Sequence, residues 1–513
     1  LIKPVSTMLT PTPNDWTQRE AAHLLNRAGF GGSPEQIQTL HSLGREKAVE
    51  QLLNPPQGAD HMDPPGWAVG EGDQTEEEFS KQMKDLERER SKMSAEEYDQ
   101  ARRKLRQQVQ RTQRKTGGEL QEWWFNSMLK TNTPLQEKMT LFWHDHFPSS
   151  LQKVRDPRLL YQQNVLFREF ATGNFKELTQ RIAVDPAMMR YLDTPQSQKG
   201  KPNENFAREL LELFTLGEGN YTEQDIKEAA RAFTGYTIDR QTGKVRHIDN
   251  RWDEGKKTFM GRTGPFNGEG IINIVFEQDA CSRYVPKKLW EFFAYEKPSE
   301  EIVGALANTF SEGNFEVVPV LRKIFLSEEF YSPQSVRTRI KSPVEFLVQM
   351  LRQLEIKEAV PERYLTLVQV QLGQQLLMPP NVAGWDWGKA WINTNSLLTR
   401  YNVAGMVTKG SSGTDSKMDR QMGMMAQKPR KKGKAGNFWK GPDYQHIAPP
   451  ELRQDPAKLV DVLTSRLFQD ELKPLQREKF GEYAKAKGDE GFTDMEVAEL
   501  VHLMMSTPYY QLT

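Results

Sequence analysis

A chain of 513 residues can bury a large core, with room for roughly two to four domains or one extended helical array. Lysine plus arginine equals aspartate plus glutamate, at 69 each, so no global field steers the chain onto nucleic acid or an anionic membrane. Cys281 is the only cysteine, which excludes an intramolecular disulfide and a cysteine-built zinc site; no apolar run reaches the ~18 residues that span a bilayer.

Hydrophobic residues make up 37%, below the usual globular share, so some segments are expected to be solvated insertions, while 11 Trp and 25 Phe argue that the remainder packs well. One thiol fits a cytoplasmic protein or a Gram-negative secreted one that avoids disulfides. The chain starts at Leu1 with no signal-like apolar run. That reads as a mature form whose targeting peptide is gone, or as a piece cut at that point.

In chain order, residues 16–53 read as two helices. Ala22, Leu24 and Leu25 give the first an apolar face. His23 lies within that face, where a lone histidine is a hydrogen-bonded core residue more often than a ligand. Ser33 and Pro34 restart a helix as cap and first-turn proline. Residues 55–73 are loop, and 74–115 are strongly charged, acidic first and basic later. Phe79, Met83 and Leu86 form a thin stripe. Ser94 with Glu97 makes a capping box for a second helix carrying Tyr98, Ala101 and Leu105. This is a helical hairpin standing off the body. It is a solvated face in the plain reading, and a partner or polyanion site in the sharper one.

Thr133, Pro134 and Gln136 open the next helix with cap, first-turn proline and capping-box glutamine. Leu135, Met139, Phe142 and Trp143 are its stripe. It runs into Trp143-His144-Asp145-His146-Phe147-Pro148 and ends there, because Pro148 pushes Phe147 out of the helical region. Residues 166–193 and 310–333 both place Gly-Asn-Phe between two helices, and 495–510 resembles the end of the same unit. These read as degenerate helix-pair repeats, too irregular for a solenoid.

Residues 203–235, NENFARELLELFTLGEGNYTEQDIKEAARAFTG, are two amphipathic helices around a tight Gly-rich turn. Phe206, Leu210, Leu213 and Phe214 share one face, with Asn203 as N-cap and Gly217 past the helix end. Thr222 caps the second helix with Asp225 in the capping-box place, and Ile226, Ala229, Ala230 and Phe233 form its stripe. Thr237-Ile238 and Val245 to Ile248 flank a turn at Gln241-Thr242-Gly243, the clearest β segment. Residues 255–270 read as Gly-rich loop. Further helices are expected at 285–295, 343–354, 364–377 and about 393–407, with a rigid aromatic loop from Pro379 to Trp385. Residues 408–444 are low-complexity and basic between Lys428 and Lys434; 455–513 are helical again.

The expected fold is therefore mainly α: an irregular multi-helix array with degenerate helix-pair repeats and one small β-hairpin. It divides into an N-terminal helical segment (1–73), a charged hairpin insertion (74–118), a main helical body (119–407), a basic flexible insertion (408–444) and a C-terminal helical segment (445–513).

His144 and His146 are the strongest local hint of chemistry. In a continuous helix they point in nearly opposite directions, so joint metal binding needs the helix to unwind, which Pro148 permits. Glu209 and Glu212 could bring carboxylate oxygens from the Asn203 helix. A His144, His146 and Glu209 ligand set suits a divalent transition metal, Zn, Fe or Mn, activating water with Glu212 or Asp253 as base. The plainer alternative is two histidines favoured by a helix C-terminus, and a Glu204–Arg208–Glu212 charge ladder. H-E-x-x-H, Walker A and G-x-S-x-G signatures are absent, and Gly217-Glu218-Gly219 lacks the strand a dinucleotide fold requires. Glu499 and His502 have di-iron spacing without a second copy, which reads as a coincidence in a packed helix.

Six stretches carry a family resemblance: AAHLLNRAGFG, LFWHDHFPSS, DPAMMRYLD, the motif from Asn203 to Thr237, KKLWEFFA and PPNVAGWDWGKAWINT. In this order, from about residue 16 to 405, the chain resembles the bacterial family called domain of unknown function 1800. The resemblance implies a mostly helical, usually exported protein, often encoded beside a partner resembling sulfatases and alkaline phosphatases. It implies no established reaction, and no catalytic residue is carried over. Such proteins often show a His-Asp pair in the loop before the KTFLG-like segment; here it reads Trp252-Asp253.

Two functions are consistent with this. One is a periplasmic or secreted metal-assisted hydrolase of a cell-envelope or extracellular polymer. The other is a non-enzymatic surface or assembly protein that binds a sulfatase-like partner through Trp385 and Trp387. Neither calls for nucleic acid or a transmembrane segment.

Overall fold

Three helix starts follow the capping boxes written in the sequence, whereas Thr133 makes no side-chain cap bond. Ser33 accepts from the Gln36 N–H, Ser94 from Glu97 and Thr222 from Asp225. In each case the third residue reaches back to the cap's own N–H. These boxes open the helices Pro34–Ser42, Ala95–Lys130 and Glu223–Ala232. The computed structural model describes residue 9 and residues 16–55, 62–68, 74–239, 243–357, 362–410, 441–470, 472–487 and 491–513. Most of the basic insertion, 411–440, and the turn residues Gln241 and Thr242 lie outside the described residues.

The fold is mainly α, as expected. Three helices rather than two fill the N-terminal region, Gln18–Ala28, Pro34–Ser42 and Arg45–Leu53, because Gly44 at φ +79° breaks the second. The charged hairpin pairs Gln74–Glu89 with Ala95–Lys130. No break falls at residue 118. The second helix is continuous over 36 residues, about 54 Å at 1.5 Å per residue. Its first half is largely exposed, and its last turns bury Leu120, Trp124, Phe125 and Met128. Gly117 packs against Leu151: a Cβ there would sit 3.4 Å from that side chain.

The two Gly-Asn-Phe turns meet each other. Asn174 and Glu316 form an antiparallel bridge, the Phe175 N–H donates to the Phe315 carbonyl at 3.0 Å, and the Val317 N–H to Gly173 at 3.2 Å. The repeats thus pair turn to turn.

Tyr236–Ile238 pairs antiparallel with Val245–His247, the expected hairpin. A second hairpin, Lys257–Phe259 with Arg262–Gly264, replaces the expected loop. Met260 and Gly261 supply the two positive-φ positions that a tight hairpin turn needs. Its strands are three residues each, too short to show an alternating pattern in the sequence.

Buried side chains from Ala21 to Tyr510 form one continuous hydrophobic cluster, so the N-terminal, main and C-terminal segments share a core.

Candidate active site

The Pro134–His146 helix runs through that core. Only Gln136 and Asp145 among its residues escape full burial. The last turn closes with the Phe147 N–H on the Trp143 carbonyl at 2.8 Å, and Pro148 follows. Successive helical residues point about 100° apart, so His144, Asp145 and His146 enter three separate environments.

His144 is buried among aromatic rings, 5.2 Å from Trp124, 5.6 Å from Trp385 and 6.2 Å from Phe167 between centroids. Its Nε2 has no partner, and burial lowers its pKa to about 3. His146 is packed by Phe142, Phe147 and Phe214. Its Nε2 lies 2.9 Å from the Phe214 carbonyl and its Nδ1 3.1 Å from Lys288 Nζ. An ammonium cannot accept, so Nδ1 is the acceptor and the ring proton sits on Nε2, donating to Phe214. Burial, reinforced by Lys288, holds this imidazole well below its usual pKa.

The Phe214 carbonyl is free for this bond because of local helix chemistry. A short α-turn, Asn205–Glu209, continues into a π-helical turn, Leu210–Thr215, with the Leu216 N–H on the Leu211 carbonyl at 3.0 Å. Gly217 at φ +80° then turns the chain away and leaves the last carbonyls open. His146 takes that of Phe214, Tyr284 Oη that of Leu213 at 3.0 Å, and Asn220 Nδ2 that of Leu216 at 2.9 Å. The cap expected at Asn203 is shifted by one: Asn203 Oδ1 accepts from the Asn205 N–H, and Glu204 is the boundary residue.

The WHDHF stretch therefore meets the 203–235 motif at Phe214, where the His146 imidazole takes a backbone carbonyl and packs on a phenylalanine rather than facing a carboxylate. Glu209 and Glu212 lie one turn apart. Burial and the Glu212 charge raise the Glu209 pKa to about 7, and Glu212 accepts from Tyr221 Oη at 2.5 Å. Of the expected charge ladder, Arg208 pairs with Glu204, and more closely with Glu223 at 2.8 Å. Asp253 takes a two-pronged bond from Arg231 at 2.8 and 3.0 Å, which holds its carboxyl below the usual range and makes it a weak base. No hydrogen bond or ion pair joins Glu209, Glu212 or Asp253 to either histidine. Among the described residues no three His, Cys, Asp or Glu side chains are grouped to hold a metal. The structure does not assemble His144, His146 and Glu209 as a ligand set. The ring nitrogens of His146 are committed to protein partners, and His144, with Nε2 unpartnered, is packed among the rings of Trp124, Phe167 and Trp385.

The residue between the histidines does reach a cleft. Asp145 lines a cavity of about 450 Å³ together with Lys288, Glu291, Arg339, Trp385 and Trp387. The Trp385 N–H donates to Asp145 Oδ1 at 2.7 Å. Gly384, at φ +84°, permits this approach, since a Cβ there would collide with Asp145. Burial raises the Asp145 pKa to about 6, against the pull of the Trp385 N–H, of Lys288 and of the Trp387 indole. Burial likewise lowers Lys288, opposed by Asp145 and Glu291. A carboxyl titrating near neutrality on a cleft wall is poised for proton transfer. One signal for it stood in the sequence: a carboxylate in the last turn of an apolar helix, where the dipole disfavours it.

Trp385 is only 4% exposed and Trp387 38%, so Trp387 alone of the two offers a ring face to a visitor. Trp387 stands edge-on to Phe292 at 5.3 Å. His23 Nε2 donates to the Phe330 carbonyl and His502 Nε2 to that of Tyr401, each at 2.9 Å, in keeping with packed core positions. Three of the stretches that carry the resemblance, LFWHDHF, KKLWEFFA and PPNVAGWDW, thus converge on this one cleft.

Neither the curated proteins nor the solved structures contain a match to this chain. The family model described as "Protein of unknown function (DUF1800)" matches residues 23–512, nearly the whole chain. The helical body that converges on the Asp145 cleft thus lies almost entirely within the matched region, and the chain belongs to the DUF1800 family.

Proposed function

We propose that the protein is a hydrolase of a saccharide polymer of the cell envelope or extracellular space, with Asp145 as proton donor. The observation that carries this reading is the Asp145 carboxyl, titrating at about 6 on the wall of a cleft with a tryptophan face at its mouth. Glycosidic cleavage needs one carboxyl with a raised pKa to protonate the leaving oxygen and a second carboxylate as base or nucleophile. Glu291, Glu296 and Asp386 line the same cleft and supply candidates for the second role. The Trp387 ring offers an apolar face with a polar edge, which suits a sugar ring better than a flexible apolar chain. Lys288 keeps the Asp145 pKa from rising further. The envelope setting is supported by the family resemblance, and fractionation of native cells tests it.

The direct test is reducing-end release from a panel of envelope and extracellular polysaccharides. Asp145→Asn keeps the oxygen that accepts from Trp385 and removes the proton. It should lower the rate by about 100-fold or more, the usual worth of a general acid. Cleavage that survives unchanged in the variant ends this reading.

One observation favours the alternative of a non-enzymatic protein docking a sulfatase-like partner: the exposed face of Trp387. Affinity capture from native extract distinguishes it, because Trp387→Ala would then lose a stoichiometric partner.

A further inference from the structure

We propose that the saccharide bound in this cleft is acidic, and that Arg339 receives its oxyanion substituent, with the Trp385 indole N–H as a second donor to the same ligand. The inference rests on the saccharide reading above and adds the charge of the substrate.

Two of the residues that line the cleft each carry a buried donor with no acceptor. Arg339 Nη1 is buried without a hydrogen bond, and so is Trp385 Nε1. Buried N–H groups almost always find a partner, so both point to an acceptor that arrives with a ligand. The Arg339 side chain is only 9% exposed and is held from two sides. Its Nη2 pairs with Glu345, and its guanidinium stacks on Phe292 at 5.0 Å. The free edge of the fork is therefore fixed in place, the geometry that binds carboxylate or sulfate oxygens well.

Charge favours an anion over a neutral hydroxyl. Lys138 and Arg339 both pair with the single buried carboxylate of Glu345, and buried Arg27 feels both Arg339 and Glu345. Three cations around one carboxylate leave this layer with surplus positive charge. The cleft also carries Asp145, Glu291, Glu296 and Asp386, against Lys288 and Lys297, and Glu296, Lys297 and Asp386 are exposed. Screening weakens charges at such a rim, whereas Arg339 acts from a drier place. Phe292 touches both Arg339 and Trp387, so a ring lying on Trp387 can extend a substituent towards Arg339.

The test is equilibrium binding by calorimetry, with trigalacturonate, a sulfated galactan oligomer and a neutral cello-oligomer of equal length. The wild-type protein is expected to bind at least one acidic oligomer about tenfold or more tighter than the neutral one. Which acidic oligomer binds separates a carboxylate from a sulfate ester. Arg339→Lys keeps a cation on Glu345 and loses the free Nη1. Trp385→Phe keeps the ring against His144 and loses the indole N–H. Each should shrink the acidic-over-neutral preference. If Arg339→Lys fails to fold, the wild-type comparison and Trp385→Phe still decide. Equal affinity for acidic and neutral oligomers, or a preference that survives both substitutions, overturns the proposal. Selective binding with no polymer cleaved would remove the hydrolase reading alone. Cleavage of neutral polymers without acidic preference would remove this proposal alone.

Discussion

Lys288 Nζ lies 3.1 Å from His146 Nδ1, and that bond ties the Asp279–Phe293 helix to the end of the Pro134–His146 helix beside the cleft. The same cation acts on Asp145 and holds its pKa down against burial. Lys288→Met removes that influence. The Asp145 carboxyl should then titrate above its present value of about 6, by about one unit or more. The activity of a general acid falls as pH rises through its pKa, so the alkaline limb of the pH–rate profile should move upward in the variant. A limb that stays put would mean that Lys288 does not act on the acid.

How much of this was legible beforehand depended on the range of each interaction. Ser94 with Glu97 and Thr222 with Asp225 could be read because a capping box spans three residues and needs nothing else. The hairpin at Tyr236 was legible for a similar reason, whereas the three-residue strands at Lys257 and Arg262 left too little pattern. The site was not legible. Asp145, Lys288, Arg339 and Trp387 are scattered over nearly half of the chain and meet only through tertiary packing. Helical geometry correctly sent His144 and His146 to different sides, and the same rule sends Asp145 to a third. The π-helical turn at Leu210–Thr215 has no local signature, because its free carbonyls are satisfied by His146 and Tyr284 from elsewhere.

His144 supplies a test of burial. In the folded protein its pKa is about 3 against the ordinary 6.5, so below pH 6.5 the unfolded chain binds a proton that the folded chain refuses. Stability must then fall with falling pH, by about 1.4 kcal/mol per unit, down to about pH 3. Other groups titrate in this window, so the clean comparison is with a variant. His144→Leu should lie within about 1.5 kcal/mol of wild type at pH 7.5, as a hydrophobic replacement of similar size in an aromatic nest. At pH 5 it should have gained about 2 kcal/mol on wild type. Urea melts at the two pH values measure this, and parallel curves would show that His144 is not buried as described.

Gly384 is the hinge of the aromatic loop against the acid. Its φ of +84° disfavours any side chain, and a Cβ would also meet the Asp145 carbonyl at 2.5 Å. Gly384→Ala should destabilise by about 1–3 kcal/mol and should displace the Trp385 N–H from Asp145. Activity should fall more than stability accounts for, since the displaced bond is the one that orients the carboxyl. Thermal melting with kcat and KM on the same preparation separates the two effects.

Glu345 is the buried carboxylate on which Lys138 and Arg339 depend. It also accepts from the Ser342 N–H at 2.8 Å, and its pKa is driven well below the ordinary range by Arg339 and Lys138, in spite of burial. Glu345→Gln keeps the volume and an acceptor for Ser342 but leaves two buried cations without a counter-charge. The expected loss is about 3–5 kcal/mol at pH 7. Lys138, already lowered to about 8 by burial, should drop further and shed its proton near neutrality. The sign of the pH dependence follows from the depressed carboxyl: its contribution is complete above the ordinary glutamate value of 4.5 and is lost as pH falls below it. The gap between wild type and Glu345→Gln should therefore be wide at pH 7 and narrow by about 1.4 kcal/mol per unit below pH 4.5. Denaturant melts at pH 7 and pH 3 test this, and a gap that does not shrink would mean that Glu345 acts by shape rather than by charge.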